Sequence, residues 1–213
     1  MIAIIQFAMR HSKQDKAASH ERIVAIAAAR IRESGTEQPG VAEIMRAAGL
    51  THGGFYKHFG SRDELIAEAV ERALTDSQSR MPGITTGAED PLAAFADAYL
   101  SATHRDDPAT GCGVVALGTD IARVGGPAQD AYRAQVERYL AYLERLLAGD
   151  DDDDARRRAI VTLSAMVGAV MISRALGPTP RSDEILRDVR EAVRERRLLP
   201  TRRPTPTQAD TPA

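Results

Sequence analysis

Between residues 19 and 34 the apolar side chains fall at Ile23, Ile26, Ala27 and Ile31, three or four apart, and Arg30 adds an aliphatic stem. That spacing predicts an amphipathic helix. Ser19 stands where an N-cap is wanted, and Gly35 follows the last periodic residue. A second, shorter stripe runs through Val41, Ile44, Met45 and Ala48, entered at Gly40 and stopped at Gly49. A third helix is expected from Thr51 or His52 to about His58, ended by Gly60. Ser61 then opens a fourth, with Glu64 three residues on in capping-box position, and Leu65, Ile66, Ala69, Val70 and Ala73 carry it toward Ser79. Helix, glycine turn and second short helix over 41–58 make a helix-turn-helix layout, with the first helix closing a three-helix core.

The Pro- and Gly-rich stretch "MPGITTGAEDP" reads as a break. Leu92, Phe95, Tyr99 and Leu100 suggest a fifth helix, "RDDPATGCG" a second break, and Val114–Val124 a sixth helix. Pro127 opens the seventh, whose stripe is Tyr132, Val136, Tyr139, Leu140, Leu143, Leu146 and Leu147. The acidic run Asp150–Asp154 reads as a solvated loop that places carboxylates at the next helix N-terminus, where the dipole favours them. Consecutive aspartates lack the spacing of a metal-binding loop. The eighth helix, Ala155–Leu176, holds the longest uncharged run, Ala159 to Ser173, and small residues at Ser164, Ala165, Gly168, Ala169 and Ser173. It is apolar nearly all round, which implies burial on more than one side. A ninth, Glu184–Arg196, keeps Ile185, Val189 and Val193 together.

The expected architecture is therefore all-α, with about nine helices. Residues 1–18 form a disordered arm, 19–65 a helix-turn-helix domain, 66–199 a larger helical domain and 200–213 a disordered Pro- and Thr-rich tail. Within the arm, Met9 reads as a better start than Met1, which leaves 1–8 disordered or outside the native chain.

Composition agrees: aromatics are 4% and tryptophan is absent, favouring helices over sheets. The net charge of −2 is unequally spread. Residues 1–65 hold nine basic and seven acidic side chains and four of the five histidines, the sign expected where only the front of the molecule meets a polyanion. The single cysteine, Cys112, excludes a disulfide scaffold and a Cys-x-x-Cys metal site. The uncharged run in the eighth helix is shorter than the ~20 residues a membrane span needs. The order of charge and apolar residues at the N-terminus is not that of a signal peptide. The chain reads as cytoplasmic, with no cofactor.

The most informative stretch is "AAGLTHGGFYKHF". Two adjacent glycines within a short helix cost roughly 1 kcal/mol each against alanine. They are accounted for if the helix backbone must approach the wall of a DNA major groove, about 12 Å wide. Phe55 and Phe59, four apart, would share the inward face with Leu50, leaving Tyr56, Lys57 and His58 on the outer edge as phosphate partners. The plainer reading is a glycine loop over an aromatic core.

From Glu21 to Leu74, and most specifically in "AAGLTHGGFYKHFGSRDEL", the chain resembles the DNA-binding domain of the TetR (tetracycline-repressor) family of transcriptional regulators. The resemblance implies a homodimer paired through the eighth and ninth helices. It also implies a palindromic operator read by the third helix, and a small molecule in the C-terminal domain that releases DNA. By position, Thr51, His52 and Gly53 would face base edges. Tyr56 and His58 would hold phosphates, Lys57 would do either, and Arg62 would occupy a phosphate-contacting place. Pro39 and Gly40 depart from the family's usual hydroxyl before the second helix.

Candidates for the ligand site are Phe95, Tyr99, Cys112, Asp120, Tyr139 and Met166, with His104, Tyr142 and Met171 beside them. Each also serves as ordinary packing, since a Met or Tyr on a helical stripe usually just packs. Cys112 precedes the sixth helix, where the helix dipole lowers a thiol's pKa, so a redox- or electrophile-responsive regulator is one alternative and a transcriptional activator another. An enzyme built on His52, His58, Cys112 or the acidic run lacks any nucleophile–base pairing or metal spacing.

Overall fold

The computed structural model describes residues 2–148 and 154–198, with side chains from Gln14 onward. Among the described residues the regular elements are all helical. They are α1 (Ile2–Ser34), α2 (Val41–Ala47), a 3-10 helix η1 (His52–Lys57), α3 (Arg62–Thr85), α4 (Pro91–Tyr99), α5 (Ala102–Asp106), α6 (Gly113–Val124), α7 (Gly126–Leu147), α8 (Ala155–Leu176) and α9 (Pro180–Arg194). The C-terminal tail and most of the acidic run lie outside the described residues.

The first three helical segments close on α3. Ile23, Ala27 and Ile31 of α1, Ile44 and Met45 of α2, Phe55 and Phe59 around η1 and Leu65 and Ala69 of α3 are all buried. The three-helix core that the periodicity predicts is present, with α3 packed on it as a fourth member. Its start differs: α1 begins at Ile2 and runs through the stretch expected as an arm, so Ser19 sits inside the helix rather than at its cap. The capping chemistry of α3 is as expected. Ser61 Oγ accepts the Glu64 N–H at 3.1 Å, and Glu64 Oε2 accepts the Gly60 N–H at 2.6 Å.

Helix α3 extends six residues past the expected end, through Pro82 to Thr85. Proline removes one hydrogen bond and crowds the preceding turn. Here the apolar period continues across it, with Met81 buried and Ile84 half-exposed, and packing keeps the helix whole. One helix thus spans both halves of the molecule; 24 residues at 1.5 Å each reach about 36 Å.

Arg32 and Asp120 join the halves, and a close helix contact at Gly113 braces α3 behind them. Arg32 at the end of α1 is buried, and burial lowers its pKa although Asp76 opposes the shift. Its Nε donates to the Ala109 carbonyl at 2.6 Å, and its Nη1 donates to Ala73 O at 3.3 Å and Asp76 Oδ2 at 3.2 Å. Asp120 of α6 accepts the Thr36 N–H at 2.9 Å, and its carboxylate lies where a Cβ on Gly35 would be, 2.7 Å away. Gly35 has φ +83°, a backbone conformation that favours glycine, and a side chain there would also displace the Asp120 carboxylate. Gly113 opens α6 directly against the α3 backbone, where a Cβ would stand 2.4 Å from Ala73 O.

In the larger half, α7 buries Tyr139, Leu140, Leu143 and Leu147 as its stripe predicts. Helix α8 has the bounds read from sequence, while α9 starts earlier, at Thr179–Pro180, because Thr179 caps it by accepting the Ser182 N–H. Arg105 is buried where α5 meets α9 and donates to Ser182 and Asp183. Taken whole, α8 is long and apolar enough to cross a membrane by length and composition, in contrast to its uncharged run alone. In this fold its inner face packs on α7 and α9.

Candidate nucleic-acid interface and cavity

The segment His52–Lys57 is a 3-10 helix rather than the α-helix expected. The tighter winding follows from its sequence: six residues with two glycines give little propensity, and short helices favour i→i+3 bonding. Thr51 O accepts the Gly54 N–H at 2.9 Å and Phe55 O accepts the His58 N–H at 2.9 Å. Phe55 and Phe59 stack with ring centroids 5.5 Å apart and anchor the turn to the core. The aromatic core of the plainer sequence reading is therefore real, and it coexists with an outward face.

That face is unusually bare. Thr51, His52, Gly53, Tyr56 and Lys57 are exposed, Tyr56 by 73%. Among the described residues none of their side chains has a hydrogen bond or ion pair within the chain. Gly53 has no positive φ, and a Cβ there would meet nothing within 4 Å. A Cβ on Gly54 would find only ordinary contacts at 3.7 Å. Nothing inside the molecule requires glycine at either position.

Two residues expected beside this face sit differently. His58 is half-buried, its Nδ1 is sealed without a partner, and its ring lies 6.1 Å from that of His20. Burial first, then the neighbouring His20, Lys16 and Lys57, hold its pKa down, so it is neutral near pH 7. His20 in turn meets Glu68 at 2.7 Å. Arg62 turns back on the chain and donates to the carbonyls of Thr36 at 2.9 Å and Glu37 at 3.1 Å, fixing the α1–α2 loop. As expected, Gly40 caps α2 without a side-chain bond.

About 20 residues further along α3 lies a cavity of about 300 Å³. Phe95, Tyr99, Cys112 and Tyr139 line it, together with His104. Asp120 and Met166 do not. Asp120 is spent on the Thr36 amide and on Arg123, and Met166 is enclosed in the α8 core. Tyr142 packs edge-on against Phe95, and Met171 is half-exposed on the outer face of α8. Sequence reasoning missed Ser77, Arg80, Met81 and Ile84, which form the α3 wall. The signal was the apolar spacing that continues across Pro82.

The cavity's polar groups are largely committed. His104 Nδ1–H donates to Tyr99 O at 2.6 Å, and Nε2 accepts the Cys112 N–H at 2.9 Å. Burial pushes its pKa down to about 4. The Cys112 thiol is buried and donates to the Tyr139 hydroxyl at 3.4 Å, which also shares a 2.8 Å bond with Ser77 Oγ. Burial raises the Tyr99 and Tyr139 phenols well above the usual range, and Cys112 adds to it. Although the thiol is near, Tyr99 Oη has no hydrogen bond of acceptable geometry.

Residues 23–69 match the family model for bacterial regulatory proteins of the tetR family. An uncharacterized HTH-type transcriptional regulator of Mycobacterium tuberculosis is 26% identical over 185 residues, 81% of this chain and 93% of its own. A TetR transcriptional regulator from Chloroflexus aurantiacus superposes with a TM-score of 0.72 at 24% identity, over 84% of this chain and 94% of the other. The chain is a DNA-binding transcriptional regulator whose residues 23–69 are similar to the tetR family. The matched segment takes in the second half of α1, all of α2 and η1 and the start of α3, so the bare face described above lies within it. TylP, a tetR regulator from Streptomyces fradiae, is 25% identical with a TM-score of 0.58, over 83% of this chain and 85% of the other.

Proposed function

We propose that the protein is a homodimeric, cytoplasmic repressor that binds a two-fold symmetric operator and leaves it when a small molecule fills the cavity. The observation that carries the reading is the bare outward face of η1. Polar side chains and a sterically unneeded glycine stand together there, with no hydrogen-bond or ion-pair partner among the described residues. Thr51, His52 and Gly53 face the base edges, and Tyr56 and Lys57 face phosphates. Arg62 and His58 act behind them, Arg62 by fixing the α1–α2 loop and His58 by filling the gap between α1 and η1.

Pairing of two copies is supported by the outer face of α8. Ile160, Met171, Ile172 and Leu176 are exposed along it, and Gly168 has open space at its Cβ position, which permits close helix approach. Release is supported by α3, which carries the cavity wall at Ser77–Ile84 and the DNA-facing unit at its start. Moving one end moves the other, and half-sites one helical turn apart tolerate little change in spacing.

Selection of binding sites from random duplexes, with sedimentation of the free protein, tests the whole reading. A symmetric site and a dimer are expected. A lone subunit at micromolar concentration, or no preference over a heparin competitor, overturns it.

A further inference from the structure

We propose that the ligand of this cavity is an uncharged aromatic molecule of one or two rings, held by a series of side-chain rings and by Met81 rather than by an ion pair. The inference rests on the reading of the cavity as the effector site and specifies its chemistry. It begins from the rings. Phe95 and Tyr99 lie with centroids 5.6 Å apart, and Tyr99 meets His104 edge-on at 4.7 Å. All three line the space, and Met81 and Cys112 add sulfur to the same lining. Ring pairs at such distances gain more than their buried area alone, and sulfur next to a ring adds to it. A ligand ring lengthens the series that the wall begins.

The lining has no charge to spare. Among the described residues no aspartate or glutamate lines the space. His104 is neutral near pH 7, with both ring nitrogens committed and burial opposing its charge. Arg80 is then the one charged lining side chain, and it is answered. It is exposed to water and donates to the Thr110 carbonyl. Asp107 stands close enough that Thr110 first, and then Arg80, hold its carboxylate below the usual range. An anion entering here meets the Asp107 carboxylate, and a cation meets the guanidinium. Either ion would give up its water for charges that already answer each other, a cost that a neutral molecule does not carry.

The buried hydroxyls are committed as well. Tyr139 shares a 2.8 Å bond with Ser77 and accepts from the Cys112 thiol at 3.4 Å. Ser101 donates to the Ala98 carbonyl at 2.9 Å and accepts the His104 N–H at 3.1 Å. The Tyr99 hydroxyl lies beside the Cys112 thiol and shows no surface to the space. A ligand rich in polar groups would lose its hydration here and find few partners in return. What the wall offers instead is apolar area with rings set in it. A volume of about 300 Å³ equals roughly ten waters, which suits a ligand of up to about a dozen heavy atoms, or one to two rings.

The test uses four probes of nearly one size on the full-length protein: 2-phenylethanol, 2-cyclohexylethanol, phenylacetate and 2-phenylethylamine, the last two charged near pH 7. Binding is measured by calorimetry and release of a selected operator by fluorescence anisotropy. 2-Phenylethanol is expected to bind tightest. Its saturated twin has the larger apolar area, so burial alone would favour it; ring contacts should instead leave it roughly two- to tenfold weaker. The anion and the cation should each be weaker by about tenfold or more. Phe95→Leu should erase the preference for the aromatic ring and keep that for the uncharged probe. Ile84→Lys, at a lining position already part-exposed, should shift the ratio of acid to alcohol affinity toward the acid by roughly two- to fivefold. Loss of structure weakens all probes together and produces neither change. Either ion binding as tightly as 2-phenylethanol, the saturated probe doing so, or no binding of 2-phenylethanol at millimolar concentration overturns the proposal. If an ion binds tightest and frees DNA, the ligand class falls and the regulatory reading stands. The expected order of binding without release of DNA upholds the ligand class and removes the regulatory reading.

Discussion

Two glycines receive opposite consequences from the same substitution. At Gly53 a Cβ enters open space, and the backbone there is in ordinary territory. Alanine in place of glycine stabilises a helical position by roughly 0.5–1 kcal/mol. For a chain of this size that corresponds to about 1–4 °C in Tm. Gly53→Ala is therefore expected to leave the free protein as stable as wild type or slightly more so. Against DNA the added methyl group stands where the backbone must approach the groove wall. An overpacked contact costs about 1–3 kcal/mol, or roughly 5- to 150-fold in affinity. At Gly113 the Cβ would lie 2.4 Å from Ala73 O and 2.8 Å from Ala73 C, both backbone atoms that cannot rotate away. The same carbonyl accepts from Arg32. Gly113→Ala is expected to lower Tm by roughly 2–12 °C, again from an overpacking cost of about 1–3 kcal/mol. Differential scanning calorimetry and operator titration by anisotropy, run on both variants, read the four quantities. Wild-type operator affinity in a well-folded Gly53→Ala protein would refute the docking of η1 against DNA. A Gly113→Ala protein with unchanged Tm would refute the closeness of α6 to α3.

Phe59→Ala removes a buried ring from the three-helix core and should cost about 3–5 kcal/mol, seen as a lower urea midpoint with operator binding lost in parallel. Tyr56→Phe should weaken binding to specific and random duplexes alike and flatten the salt dependence only slightly, whereas Lys57→Ala should reduce the slope of log affinity against log salt by about one; equal slopes in wild type and Lys57→Ala place that ammonium off the phosphates. His104 has its pKa lowered from 6.5 to about 4 by burial, so the folded state resists a proton that the unfolded chain takes up. Its contribution is intact above pH ~6.5 and is lost as pH falls toward 4. Urea midpoints should therefore drop between pH 7 and 5 by more in wild type than in His104→Gln, and equal drops would remove His104 as the cause.

The DNA-facing half was legible because each signal in it is local. The i, i+3 and i+4 spacing of α1 and α2, the Ser61–Glu64 cap and the Phe55–Phe59 pair all act within a few residues. The winding of η1 was not legible, since 3-10 and α geometry share a composition and differ only in which carbonyl each N–H finds. The fate of Arg62 was hidden for a different reason. A guanidinium reaches several acceptors, and the Thr36 and Glu37 carbonyls come within range only after the α1–α2 loop has folded. Cavity residues were half legible: Phe95, Tyr99, Cys112 and Tyr139 converge from three parts of the chain, while Asp120 and Met166 are taken up elsewhere by contacts at long sequence separation. Pro82 was the most misleading position, because a local breaker was overruled by packing on both sides of it.

The buried guanidinium of Arg32 bears on anyone who would build hybrid regulators from this protein. Its three acceptors, the Ala109 and Ala73 carbonyls and the Asp76 carboxylate, all belong to the part of the chain that a front-end transplant leaves behind. Stitching residues 1–60 onto a foreign body would strand a cation in an apolar seam, at a cost of about 3–5 kcal/mol. A working chimera has to import the matching stretch of α3 and the Ala109 loop as well, or trade Arg32 for an aliphatic side chain.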